Sequence, residues 1–321
     1  MFITLPRIPI LDGWRAVSIL LVLGGHLLPL GPSRFGLNGA IAASGMAIFF
    51  TLSGFLIASM LLANQDVPRF LTRRLLRILP LAWVAMLVLI ILNNTSWSVA
   101  ISNLLFVSNL PPHPLMNGGG HLWSLCVEVQ FYAVIAIMVA LGGKRALYLI
   151  PALALSVTAL RVFTGTTMSI TTWFRVDEIL AGACLALVVH HYPKVRVPAF
   201  ATVLLAPLIV AAAYPTPVAY LRPYLAAAAV GTSIYAAPGL MSALFTSRLA
   251  GWIAEISYGL YVLHGVLVDT WLGSGDKLVK YVKRPLLFIV TFLFAHLSFK
   301  YFERPIQKLG QRRTTAVNRA T

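Results

Sequence analysis

LDGWRAVSILLVLGGHLLPLG, residues 11–31, has the apolar density of a membrane span, yet it carries an arginine, Arg15, and a histidine, His26. Ionisable groups inside a membrane are costly and need a reason to be there. A helix turns about 100° per residue, so eleven steps bring His26 to within roughly 20° of the face of Arg15, about 16 Å further along the axis. The stretch reads as one helix with a single polar face that carries groups at two depths.

The whole chain fits a membrane reading. Its 321 residues are 59% hydrophobic and 11% charged, and the mean hydropathy is +0.85. No water-facing core absorbs that much apolar sequence, so the class is a polytopic membrane protein. The net charge of +16 would suit a nucleic-acid binder. However, the basic residues gather in short gaps between apolar runs, as membrane topology requires, and no nucleic-acid partner is expected. Cys126 and Cys184 both lie in apolar runs and imply no disulfide framework. The first run has no small-residue cleavage site after it and is expected to be retained.

Apolar runs long enough to cross about 30 Å of hydrocarbon fall at 14–31, 40–63, 78–93, 122–142, 146–162, 173–191, 199–214, 219–238, 250–270 and 285–303. The expected fold is all-α, a polytopic transmembrane helix bundle of about ten spans. Residues 1–304 form the membrane domain and 305–321 a short basic cytoplasmic tail. Residues 97–110 are also apolar and suit a re-entrant or interfacial piece. With a cytoplasmic amino terminus, the inner segments hold Arg7, Arg69, Arg73, Arg74, Arg77, Lys144, Arg145, Lys194, Arg196, Arg248, Arg304, Lys308, Arg312, Arg313 and Arg319. The outer segments hold only Arg34, Lys277, Lys280, Lys283 and Arg284. That excess places both termini in the cytoplasm. The basic group at 277–284 departs from the rule.

Depth along these spans sorts the polar residues. His26 lies roughly 18 Å above the inner end of the first span. In GGGHLWSLCVEVQFY (118–132), His121, Ser124, Glu128 and Tyr132 share one face, with Glu128 roughly 9 Å below the outer end. WFRVDEILAG (173–182) brings Arg175, Asp177 and Glu178 to the same side, and EISYGLYVLHGVL (255–267) aligns Ser257, Tyr261 and His264. Any one of these groups alone reads equally well as a hydrogen-bonded bridge between helices. Four spans meeting at one level mark a candidate site. On the inner side, FLTRRLLRILP (70–80) sets Arg73, Arg74 and Arg77 close in depth to Arg15. Such arginines serve topology and lipid headgroups, and they are also what a phosphate-rich ligand needs.

Together these segments resemble the acyltransferase type 3 family of bacterial membrane O-acyltransferases. Arg15 and His26 reproduce its pattern of arginine, ten residues and histidine. FFTLSGFLI (49–57), RRLLRILP (73–80), HLWSLCVEVQFY (121–132), FRVDEILAGA (174–183), EISYGLYVLH (255–264) and YFERPI (301–306) are similar to its other blocks, in family order. Val129 stands where a second acidic residue is common, which favours Glu128 as the carboxylate.

The resemblance implies a multi-pass enzyme of the bacterial cytoplasmic (inner) membrane. It would move an acyl group, usually acetyl, from cytoplasmic acyl-CoA to a hydroxyl acceptor. The acceptor is a polysaccharide, such as an exopolysaccharide or lipopolysaccharide, a lipid-linked glycan, or another envelope or secreted molecule. Some relatives carry a fused SGNH-type esterase domain, and the length here suits the membrane unit alone. No metal is expected, and a homo-oligomer is left open. On this reading His26 is the general base, and Glu128 or Asp177 orients it or stabilises its cation. Arg15, Arg73, Arg74 and Arg77 bind the donor. His121, Ser124, Arg175, Tyr261 and His264 line the substrate site, with Ser124, Arg175 or a freed amide near Gly54 as oxyanion donor. The competing classes are a transporter, or a glycan polymerase or lipid-glycan flippase, built on the same buried polar groups. Against a carrier, the sequence has no internal repeat and no matched broken helices.

Overall fold

The computed structural model describes residues 8–197, 201–213, 215–237 and 239–310; Arg7 and residues 311–321 of the expected tail lie outside them. All regular structure among the described residues is helical. In chain order the α-helices are α1 (Ile10–Leu27), α2 (Leu37–Ala63), α3 (Val67–Leu92), α4 (Trp97–Leu104), α5 (Trp123–Gly142), α6 (Ile150–Phe163), α7 (Thr172–Arg175), α8 (Asp177–His191), α9 (Ala201–Ala213), α10 (Arg222–Tyr235), α11 (Leu240–Phe245), α12 (Arg248–Val268) and α13 (Lys277–Ser298).

Local chemistry sets several of these boundaries. α1 ends at Leu27 because Pro29 drives the preceding Leu28 into an extended conformation. The Asp66 side chain accepts from the Arg69 N–H at 3.0 Å and, with Pro68 in the first turn, starts α3. Asp276 caps α13 in the same way, through the Val279 N–H at 2.8 Å.

Among the described residues, six helical runs are long and apolar enough to cross a membrane, against the ten spans expected. One of them, Gly120–Phe163, has 44 residues. As a straight helix it would measure about 66 Å, twice the hydrocarbon thickness. It is broken by Gly143 in the left-handed region (φ 59°) and by 3-10 turns over Gly143–Leu149, between the spans expected at 122–142 and 146–162. The spans expected at 173–191, 199–214 and 219–238 contain helices of 15, 13 and 14 residues. At about 20 Å each, these fall short of the hydrocarbon core. Apolar composition continues through the turns that end these helices, so apolar runs outnumber helices of spanning length.

The chain divides into two compact units: residues 1–65 with 137–255, and residues 66–136 with 256–321. In the first, α2 is central and packs on α1, α8, α9 and α10. Lipid offers no hydrophobic drive between helices, so close backbone approach at small residues takes its place. A Cβ added to Gly54 would lie 1.8 Å from the Ile179 carbonyl oxygen, and one on Gly182 would lie 2.0 Å from that of Thr51. α2 and α8 therefore cross glycine to backbone. This corrects the expectation of a freed amide near Gly54: the residue is interior to α2, and interior helical amides are engaged by the carbonyl four residues back. α1 meets α2 similarly, with Ser18 Oγ donating to the Gly45 oxygen at 2.9 Å. Trp14, fully buried, donates Nε1–H to Ser233 Oγ at 2.7 Å and stands edge-on to Phe245.

In the second unit, Tyr258 donates to the Ile78 oxygen. Further along the same helices, Asn93 Nδ2 donates to Asp269 Oδ2 at 2.7 Å. α3 and α12 thus run in the same direction. The α3–α4 region is tied by Trp83 Nε1 to the Leu104 oxygen at 3.1 Å, and Gln130 Nε2 donates to the Phe106 oxygen at 2.8 Å.

Candidate active site

His26 is the second-to-last residue of α1, and its side chain is exposed. Its neighbours fix it firmly. Asn38 Nδ2 donates to the oxygens of Gly25 at 2.7 Å and Leu28 at 2.6 Å, on either side of the histidine. Gly25 itself lies so near α2 that a Cβ would come within 2.6 Å of the Ala42 nitrogen. The last turn of α1 is clamped, and the imidazole is exposed at its end. Arg15 lies three turns earlier on the same helix and is half-buried.

The first unit also contains a buried charge cluster. Arg161 pairs with Asp177, and Glu178 accepts from Arg222 Nε at 2.6 Å and lies 3.4 Å from Arg175 Nη2. None of the five is more than 1% exposed. Arg161 also donates to the oxygens of Thr166 at 3.3 Å and Thr167 at 2.8 Å, so it ties the loop after α6 to the start of α8. Asp177, expected to serve His26, is therefore engaged by Arg161. Arg175, expected at an oxyanion, stands beside Glu178 and donates to Met168 Sδ at 3.1 Å.

The second unit brings the other expected residues into one polar seam. Ser124 Oγ lies 2.5 Å from Tyr261 OH, which also reaches the His121 oxygen. His121 Nε2 is 3.1 Å from the Val262 oxygen, and its ring stands 4.8 Å from that of His264. His264 Nδ1 lies 2.6 Å from the Tyr261 oxygen. One helical turn further along α5, Tyr132 donates to Glu128 Oε1 at 2.5 Å. Arg74 is buried with Tyr132 and Glu128 among its electrostatic neighbours, next to Arg77. Glu303 lies within electrostatic reach of Arg77 and accepts from Ser298 Oγ at 3.0 Å.

This arrangement changes the two-level picture. Depth reckoning sets Arg74 at an inner surface and Glu128 in the outer half, yet the two are neighbours. The third apolar run starts at residue 78, whereas α3 begins at Val67, which carries Arg73, Arg74 and Arg77 into the helix. Arg161, Arg222, Tyr258 and Glu303 went unsingled in the sequence. Arg161 and Arg222 sit inside apolar runs, and an arginine there is signal enough to flag them. Glu303 lies in the YFERPI block. Among the described residues no group of three or more His, Cys, Asp or Glu side chains could hold a metal ion.

Comparison with known proteins bears on the whole chain. A family model described as an acyltransferase domain matches residues 8–299. Over 94% of its length the chain is 26% identical to the peptidoglycan O-acetyltransferase OatA of Listeria monocytogenes. Over 95% it is 30% identical to the putative peptidoglycan O-acetyltransferase YrhL of Bacillus subtilis. A putative O-acetyltransferase of Staphylococcus aureus is 30% identical over 39% of the chain and 23% of that protein. The chain spans about half the length, 56%, of the first two relatives. No solved structure matches it.

Proposed function

The chain belongs to the acyltransferase type 3 family, and from that premise we propose that it is a membrane O-acyltransferase of the bacterial cytoplasmic membrane. It takes an acyl group, acetyl in the first instance, from cytoplasmic acyl-CoA and transfers it to a hydroxyl of an envelope glycan. Relatives named for peptidoglycan make a cell-wall glycan the first acceptor to test. Both termini face the cytoplasm in this reading.

His26 acts as the general base. It accepts the proton of the acceptor hydroxyl as that oxygen attacks the thioester carbonyl carbon. The carbon–sulfur bond then breaks, and the imidazolium returns the proton to the departing thiolate. An exposed imidazole on a clamped helix end suits a base that must meet an external hydroxyl. Glu128 is the carboxylate of the reaction in this reading, the one that the HLWSLCVEVQFY block favours. Arg73, Arg77 and Arg15 hold the donor phosphates, while Arg74 keeps Glu128 in place. His121, Ser124, Tyr261 and His264 bind the acceptor.

The observation that carries this reading is a family match over residues 8–299, the stretch that contains Arg15, His26, Arg73 and Glu128. Proteoliposomes given labelled acetyl-CoA and peptidoglycan fragments test it. The expected result is covalent label on the glycan. Movement of donor or glycan across the bilayer without covalent transfer would make the chain a transporter, and chain growth without acylation would make it a polymerase.

A further inference from the structure

The YFERPI block holds a buried carboxylate, Glu303, that the proposed reaction does not use. After Ser298, the end of α13, one π turn follows over Phe299–Glu303, and α-helix resumes over residues 304–310. Single π turns within a helix are rare and often mark functional positions. Five residues of α-helix turn through about 500°, which would set Ser298 and Glu303 roughly 140° apart. The i to i+5 spacing of the π turn brings the two onto one side instead. Ser298 Oγ accordingly donates to Glu303 Oε1 at 3.0 Å. Glu303 is buried, while Tyr301, Arg304 and Pro305 around it are exposed. Gly259 of α12 leaves room for the carboxylate: an added Cβ would lie 3.1 Å from Glu303 Oε1.

The cation within electrostatic reach of this carboxylate is Arg77. Tyr258 lies near both, but its hydroxyl is committed to the Ile78 oxygen. Arg77 has no hydrogen bond or ion pair among the described residues, so its N–H donors remain for a ligand. Arg74, three residues earlier on α3, is a like-charged neighbour that pushes Arg77 away. A carboxylate beyond contact distance draws the guanidinium back without consuming its donors. Weak screening inside a membrane lets the charge act across that gap.

We propose that Glu303 is a positioning residue for donor binding, holding the Arg77 guanidinium where the phosphates of acyl-CoA enter. The proposal rests on the acyl-transfer reading, in which Arg77 meets the donor. A clasp between α12 and α13 alone would need no ionisable group, which a membrane interior makes costly.

The test measures acetyl-CoA binding to the full chain in phosphatidylcholine nanodiscs. Removing a negative charge beside a polyanion site should, on charge alone, tighten binding. Positioning gives the opposite sign: Glu303→Gln should weaken acetyl-CoA binding by about tenfold, and Glu303→Asp should recover part of the loss. Placed on Arg77→Gln, the same change should cost nothing further. In transfer assays the loss should fall on KM for acetyl-CoA rather than on kcat or on KM for the glycan. Should Glu303→Gln not fold, Ser298→Ala removes only the hydrogen bond and should show a smaller loss, again absent beside Arg77→Gln. Tighter or unchanged donor binding overturns the proposal, as does an equal loss with and without Arg77. A change confined to the unfolding temperature also overturns it and makes Glu303 a clasp. Wild-type protein that binds no acetyl-CoA removes the acyl-transfer reading and this proposal with it, whereas wild-type binding with an unaltered variant removes the proposal alone.

Discussion

The side-chain amide of Asn38 donates to the Gly25 carbonyl at 2.7 Å and so ties α2 to the residue immediately before His26. A base that must meet a hydroxyl and a thioester together gains from being held in place. Asn38→Ala should therefore lower kcat by about tenfold and move the unfolding temperature little, since each hydrogen bond contributes only about 1 kcal/mol net. His26→Ala should go further, because losing a general base costs about 10²–10⁴-fold. Turnover and thermal unfolding of both variants check this. More than a tenth of wild-type turnover in His26→Ala removes that residue as the base.

Tyr132 and Glu128 share a short hydrogen bond, so the two can be tested as a pair. Glu128→Gln keeps shape and hydrogen bonding but removes charge, and should slow transfer at least about tenfold while leaving donor affinity intact. Tyr132→Phe keeps the ring packed against Phe70 and removes one hydrogen bond from the carboxylate. Its loss should be smaller and fall on kcat. Near-normal turnover in Glu128→Gln would make that carboxylate structural.

The three arginines of α3 should separate. Arg73 and Arg77 are half-buried, and Arg73 Nε has no hydrogen-bond partner among the described residues. Replacing either with Gln should weaken acyl-CoA binding, and a dephosphorylated donor should narrow the difference. Arg74→Gln should instead destabilise the protein, because it leaves Glu128 buried without its neighbouring cation. Donor titrations read alongside unfolding curves distinguish these outcomes. Equal behaviour of all three would contradict the division of roles.

Arg161→Met should be among the more damaging single changes in the first unit, since breaking a buried ion pair costs about 3–5 kcal/mol. Joining it to Asp177→Leu removes the stranded carboxylate and should restore much of that stability. The double variant also tests Asp177 chemically. If it is stable and active, Asp177 is structural; if it is stable and inactive, the carboxylate acts on the reaction.

Gly54 and Gly24 offer a paired test of packing. An added Cβ at Gly54 meets the Ile179 backbone, whereas at Gly24 it meets nothing within 4 Å. Gly54→Ala should destabilise by about 1–3 kcal/mol through forced backbone movement. Gly24→Ala should be neutral or slightly stabilising, because alanine is the better helix former. Equal effects would mean that α2 and α8 do not cross at these glycines.

The sequence by itself determined the membrane class, the helical architecture, the polar face shared by Arg15 and His26, and the family blocks. These follow from composition and the helical repeat, which are properties of neighbouring residues. Tertiary structure alone decided that Asp177 belongs to Arg161, that Arg74 lies beside Glu128, that Gly54 is a helix crossing, and which apolar runs become helices of spanning length. Hydropathy does not distinguish an apolar face that meets lipid from one that meets another helix, because the two surroundings are nearly equal in energy. Pairing across helices therefore depends on their depth, rotation and crossing point, and each of these arises only when separate segments pack together.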